Sequence, residues 1–116
     1  MSNENKLLGA QGEDLALQYL ENKGYRLIGQ NIRLFCGEID LLMQDKDALV
    51  IVEVKTKSSG LFGLASDMIT LKKKRKLLQL AKALWQKFAH KTIRIDVVAI
   101  DEEKIDHIVS AVEEER

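Results

Sequence analysis

Residues 37–57 admit few folds. Two apolar runs, Gly37-Glu38-Ile39-Asp40-Leu41-Leu42 and Leu49-Val50-Ile51-Val52-Glu53-Val54-Lys55-Thr56-Lys57, flank the polar turn Asp45-Lys46-Asp47. Runs of this length between turn formers read as strands, and so short a connection makes them an antiparallel hairpin. The second run carries Glu53 and Lys55 in apolar surroundings, where a charge is costly unless it is paired or coordinated. Side chains alternate along a strand, so Glu53 and Lys55 share a face with Leu49 and Ile51. If Gln44 pairs with Leu49 across the turn, Asp40 lies opposite Glu53, and directly opposite residues share a face. Two carboxylates and an amine then meet at one point. A slip of one residue would send Asp40 to the other face.

A chain of 116 residues suggests a single domain, residues 1–116, able to bury roughly two-thirds of its unfolded surface. Cys36 is the only cysteine. It cannot form an internal bridge and has no His or Cys at ligand spacing, which fits a reducing, cytoplasmic setting. No apolar run approaches membrane-spanning length. Residues 1–6 are polar and lack a signal-peptide core.

Net charge is zero, but its distribution is uneven. Residues 53–94 hold 11 Lys/Arg against 2 Asp/Glu, a balance of +9, and the rest holds 7 against 16, a balance of −9. Such asymmetry points to one basic face, or to a solvated helix surface.

Leu8, Gly12, Leu15, Ala16, Tyr19 and Leu20 recur at helical spacing over residues 6–23, with Gly24 as the stop. Residues 25–28 read as a first strand, loosened by Gly29, and 32–37 as a lead into a second strand at 38–43. A third strand covers 49–56. Residues 58–63 are a loop of turn formers. A long helix follows, capped by Ser66 or Asp67 and running to about residue 88, with Leu77, Ala81, Leu84, Trp85 and Phe88 as its apolar stripe. Strands at 92–100 and 105–109 complete the order, and the tail 113–116 is expected to fray. The order α-β-β-β-α-β-β predicts an α/β sandwich with a mixed, five-stranded sheet. Its crossover through the long helix makes the third and fourth strands parallel.

A D…E-x-K set on adjacent strands suits a divalent metal. Hard Mg²⁺ takes carboxylate oxygens and keeps waters. Asp40 and Glu53 would each donate one oxygen, with the Val54 carbonyl as a third. The ion would activate water and neutralise phosphate charge. Lys55 would orient that water or offset developing negative charge. Glu13, at the edge of the first helix's buried stripe, is a third acid able to reach over the sheet.

The set resembles the PD-(D/E)xK nuclease superfamily, the restriction-endonuclease-like fold. More of the chain is similar to the YraN family of small bacterial proteins, which resemble archaeal Holliday-junction resolvases. The likeness is carried by Gly9-x-x-Gly12-Glu13, Leu20-x-x-x-Gly24-Tyr25, Gly37-Glu38-Ile39-Asp40-Leu41, Glu53-Val54-Lys55 and Arg94-x-Asp96-Val97-Val98. It covers about residues 7–109. The resemblance implies a restriction-endonuclease-like α/β/α domain and a site at Glu13, Asp40, Glu53 and Lys55. Ile39 stands where the superfamily pattern has proline. Lys57 stands where an arginine is common, so a bidentate phosphate grip becomes a point charge.

Lys72-Lys73-Lys74-Arg75-Lys76 oppose the helix macrodipole. Stepping back from Leu77 by three or four residues gives Lys74 and Lys73, which extend the core stripe towards the acids. Lys73 matches a lysine of the resembled family. Lys57, Lys72, Lys73, Arg75 and Lys76 are the expected nucleic-acid contacts. Glu38 is either a supporting group beside Asp40 or a partner of Arg33 or Lys55. Asp96 near Arg94, and His107, read as structural.

The expected function is Mg²⁺- or Mn²⁺-dependent phosphodiester hydrolysis in structured DNA, with no membrane. Four-way junction cleavage would require two sites, hence a homodimer. The rivals are a nucleic-acid-binding module that does not cut, and an interaction protein with a structural acidic pocket.

Overall fold

The computed structural model describes residues 2–57, 69–88, 92–101 and 104–113, with side chains from residue 11 onward apart from Lys57. Helix α1 spans Ser2–Asn22. Gly24 ends it as expected. Its φ of +100° is in the left-handed region, and the amides of Gly24 and Tyr25 donate to the carbonyls of Glu21 and Leu20. Those bonds satisfy carbonyls that a helix end leaves open. Strands β1 (Arg26–Leu34), β2 (Gly37–Asp45) and β3 (Ala48–Lys57) follow, then helix α2 (Leu71–Lys87) and strands β4 (Thr92–Asp101) and β5 (Lys104–Ile108).

The strands form one sheet in the order β1-β2-β3-β4-β5. β3 and β4 run parallel, with Glu53 beside Val97, and the other neighbours are antiparallel. Gln44 pairs with Leu49 and Leu41 with Val52, the register on which the site depends. Leu77, Leu80 and Leu84 of α2 pack with Leu49, Ile51, Ile95 and Val97. Ala16 and Leu20 of α1 pack with Val50, Val52, Val98 and Ile100. Successive residues of β3 and β4 thus enter different cores, so the helices cover opposite faces. Burial on both faces explains why these strands read as nearly continuous apolar runs. The fold is the expected α/β sandwich with a mixed five-stranded sheet. No helix among the described residues is long and apolar enough to cross a membrane.

α1 crosses β3 closely. A Cβ at Gly12 would overlap Cγ2 of Thr56. The neighbouring Glu13 is thereby held at the end of β3 that follows Lys55.

Three local expectations are corrected. β1 runs through Leu34 rather than ending at residue 28. Its register shifts between Leu27 and Gly29, and Gln30 and Asn31 are exposed in succession, so the alternation that marks a strand is broken midway. α2 begins at Leu71, with Thr70 as its N-cap: the Thr70 hydroxyl accepts from the Lys73 amide at 3.1 Å. Ser66, Asp67, the 58–63 loop and residues 114–116 lie outside the described residues. Trp85 and Phe88 are not core: they are 57% and 41% exposed. The buried stripe is Leu77, Leu80 and Leu84, and Trp85 lies about 100° around the helix from Leu84. Phe88 is the C-cap, with non-helical φ and ψ. Leu15 of α1 is likewise exposed.

Candidate metal and nucleic-acid site

Sheet register and helix packing bring acids and amines from four elements to one end of the sheet. Glu53 is only 5% exposed. Its Oε1 lies 3.2 Å from Lys73 Nζ on α2 and 3.9 Å from Lys55 Nζ two residues along β3. Asp40, half-buried on β2, accepts the Val54 amide of β3 at 3.3 Å. Burial pushes the carboxyl of Glu53 above its ordinary range, and the charge of Asp40 adds to that push while Lys73 and Lys55 oppose it. Burial also raises Asp40 against the pull of the Val54 hydrogen bond and of Lys73. Glu13 on α1 is raised by burial and then by Asp40, Glu38 and Glu53, so it belongs to the same field. Three acids that resist ionisation in one place are short of positive charge.

Asp40, Glu53, Lys55 and Lys73 therefore converge, with Glu13 coupled to them electrostatically. Glu38 pairs with Arg33 at 3.8 Å on an exposed surface, an arrangement worth little to stability. Lys72, Arg75 and Lys76 are exposed on α2, and the Lys57 side chain is outside the described ones. Among the described residues no three His, Cys, Asp or Glu side chains form a ready-made metal cage. Two carboxylates form a hard, sparse oxygen set. That chemistry fits Mg²⁺ or Mn²⁺ completed by water, and does not fit a closed zinc site.

Sequence reasoning missed two features. The first is the Lys73–Glu53 ion pair: the helix periodicity pointed Lys73 towards the acids but did not name Glu53 as its partner. The second lies on the opposite face of the sheet, where Asp96 is fully buried. Asp96 accepts from Tyr25 at 3.1 Å, from Arg94 at 2.9 and 3.0 Å and from the Ser110 amide at 3.1 Å. His107 Nε2 is 2.7 Å from Asp96 and its Nδ1 is 3.0 Å from Lys23 Nζ. An ammonium only donates, so Nδ1 accepts and the Nε2 proton goes to Asp96. Arg94 also holds Asp45 at 3.0 Å. The spacing Arg94-x-Asp96 hinted at this pair, whereas the arrival of His107 depends on the β4–β5 register.

The profile of a family described as uncharacterised, UPF0102, matches residues 12–100. A UPF0102 protein of Persephonella marina is 39% identical over 105 residues, covering 89% of this chain and 90% of its own length. One of Janthinobacterium sp. (strain Marseille) is 40% identical over 109 residues, covering 93% and 89%. One of Alkaliphilus oremlandii is 52% identical over 69 residues, covering 60% and 59%.

Proposed function

The chain belongs to the uncharacterised protein family UPF0102, and from the site's geometry we propose that it is a Mg²⁺- or Mn²⁺-dependent nuclease acting on structured DNA in repair or recombination. The observation that carries this reading is the burial of Glu53 beside Asp40, both carboxyls raised, with two lysines facing them. Asp40 and Glu53 would hold the ion, with the Val54 carbonyl as a third oxygen. When bound, such an ion would supply Lewis-acid activation of water and would neutralise charge on a phosphodiester.

The protein's own groups do the rest. Lys55 keeps its ammonium 3.9 Å from Glu53, close enough to offset charge developing on the attacked phosphate. Glu13 retains a proton more readily than an ordinary glutamate, which suits it to pass a proton to or from solvent. The exposed cations of α2 hold the backbone without reading sequence.

One observation favours a second reading. Lys73 already neutralises Glu53 at 3.2 Å, as it would in a nucleic-acid-binding module that keeps the fold and does not cut. A cleavage screen over single-stranded, duplex, flap and four-way-junction DNA, with and without Mg²⁺ or Mn²⁺, separates the two. The nuclease reading expects metal-dependent cuts on at least one branched substrate. It also expects loss of about 10²–10³ in rate in Lys55→Ala, and abolition in Asp40→Asn and Glu53→Gln. Binding without cleavage on every substrate, under both metals, overturns it in favour of the module.

A further inference from the structure

Phe35 stands at the turn between β1 and β2 and is 95% exposed. Nothing in the core explains an aromatic ring there, and a bare hairpin tip is served as well by polar residues. The turn is also held in place. Gly37 follows at φ +152°, and a Cβ there would lie 2.9 Å from Lys76 Cε and 3.7 Å from Leu80. The turn thus rests against Lys76 and Leu80 of α2. Phe35 and Cys36 form, with Gln79, Lys82, Ala83 and Gln86, a groove of about 240 Å³. The turn that carries the ring therefore has a support on α2.

Its surroundings carry cations, Arg33 among them although paired with Glu38 at 3.8 Å. Arg33, two residues earlier on β1, has a side chain 86% exposed, and Lys76 lies under the turn. Lys73, which reaches Glu53, is one helical turn before Lys76. Gln79, beside Phe35, is six residues beyond Lys73, roughly 9 Å along a helix axis at about 1.5 Å per residue. That equals roughly two to three base steps of a nucleic-acid strand at about 3.4 Å each.

We infer that Phe35 is a base-stacking contact, placed a few nucleotides from the candidate site and flanked by phosphate-binding cations. The inference rests on the nucleic-acid reading above and narrows the substrate. A phenyl ring offers only its faces, so it rewards a base already out of its stack. The favoured ligand is DNA with unpaired or splayed bases beside a backbone, as at a branch or single-stranded segment. An intact duplex shields its base faces and gains nothing from this residue.

The test is fluorescence anisotropy in EDTA, so that no strand is cut, with labelled single-stranded, branched and blunt duplex DNA of equal length. Phe35→Ala should weaken the first two by roughly five- to a hundredfold, the scale of one base–aromatic stack, and leave duplex binding within about twofold. Phe35→Trp should restore binding. In a Trp85→Phe background, which removes the single native tryptophan, its indole fluorescence should be quenched by single-stranded DNA. Phe35 is exposed, so both variants should fold, and circular dichroism checks this. Parent-like affinity of Phe35→Ala on all three DNAs overturns the inference alone. An equal loss on duplex overturns it too, as does conversion of a sedimenting dimer to monomer with DNA binding intact. A parent protein that binds none of the three overturns the nucleic-acid reading with it.

Discussion

Asp96 and Asp40 are both acids on strands, and opposite surroundings give them opposite consequences. Burial alone would raise Asp96, but hydrogen bonds from His107 and Arg94 outweigh it and hold the carboxyl at about 2. An acid held below its unfolded value of about 3.9 stabilises the fold above that pH and loses the contribution as pH falls through the folded value. Acid unfolding should therefore gain about 2 kcal/mol of its driving force between about pH 4 and pH 2. Asp96→Asn removes a charged acceptor from the half-buried Arg94, which keeps Asp45 at 3.0 Å, and should cost about 1–3 kcal/mol at neutral pH, read by urea unfolding. Asp40 is raised instead, so its ionised form opposes folding at neutral pH. Asp40→Asn keeps an oxygen for the Val54 amide and should raise the melting temperature at pH 7, by about 0.5–2 kcal/mol in stability. That gain should vanish once the solution is acidic enough to protonate Asp40 in the parent. A melting temperature lowered by Asp40→Asn would make the residue structural.

At the scale of elements, α2 combines two tasks that its cations divide. Lys73 is tied to Glu53 at 3.2 Å, whereas Lys72 and Arg75 point into solvent. Lys72→Gln with Arg75→Gln should flatten the log–log salt dependence of duplex binding by about two units, roughly 0.9 per phosphate. An unchanged slope would make that face merely solvated. Lys73→Met removes the cation competing for Glu53, so Mn²⁺ should bind more tightly to the variant by calorimetry, even as DNA affinity falls. Weaker Mn²⁺ binding would mean that Lys73 positions Glu53 rather than competing for it. The hairpin was legible because two apolar runs flank a short polar turn, but its register, Gln44 opposite Leu49, was a supposition that the sheet bears out. The reach of Lys73 was legible only as a direction along the helix stripe. β1 was cut short because a shift in register destroys the period of two. Trp85 was misplaced because apolar character was counted without its angle around the helix.

At the scale of the molecule, the candidate site draws Glu13 from α1, Asp40 and Glu53 from the central strands, and Lys73 from α2. It exists only where both helices sit correctly on the sheet. α1 is seated by the missing side chain at residue 12, since a Cβ there would meet Thr56 Cγ2. Gly12→Ala should destabilise the protein by about 1–3 kcal/mol through overpacking, although alanine is the better helix former. Adding Thr56→Ser, which deletes that methyl, should recover most of the loss in thermal melts. Independent, additive effects would show the contact to be loose. The consequence extends to how such sequences diverge. Positions 12 and 56 lie 44 places apart in the chain yet share one volume, so they should change as a pair. In a comparison of many relatives, a larger residue at one should coincide with a smaller residue at the other, and lineages that changed only one should be rare.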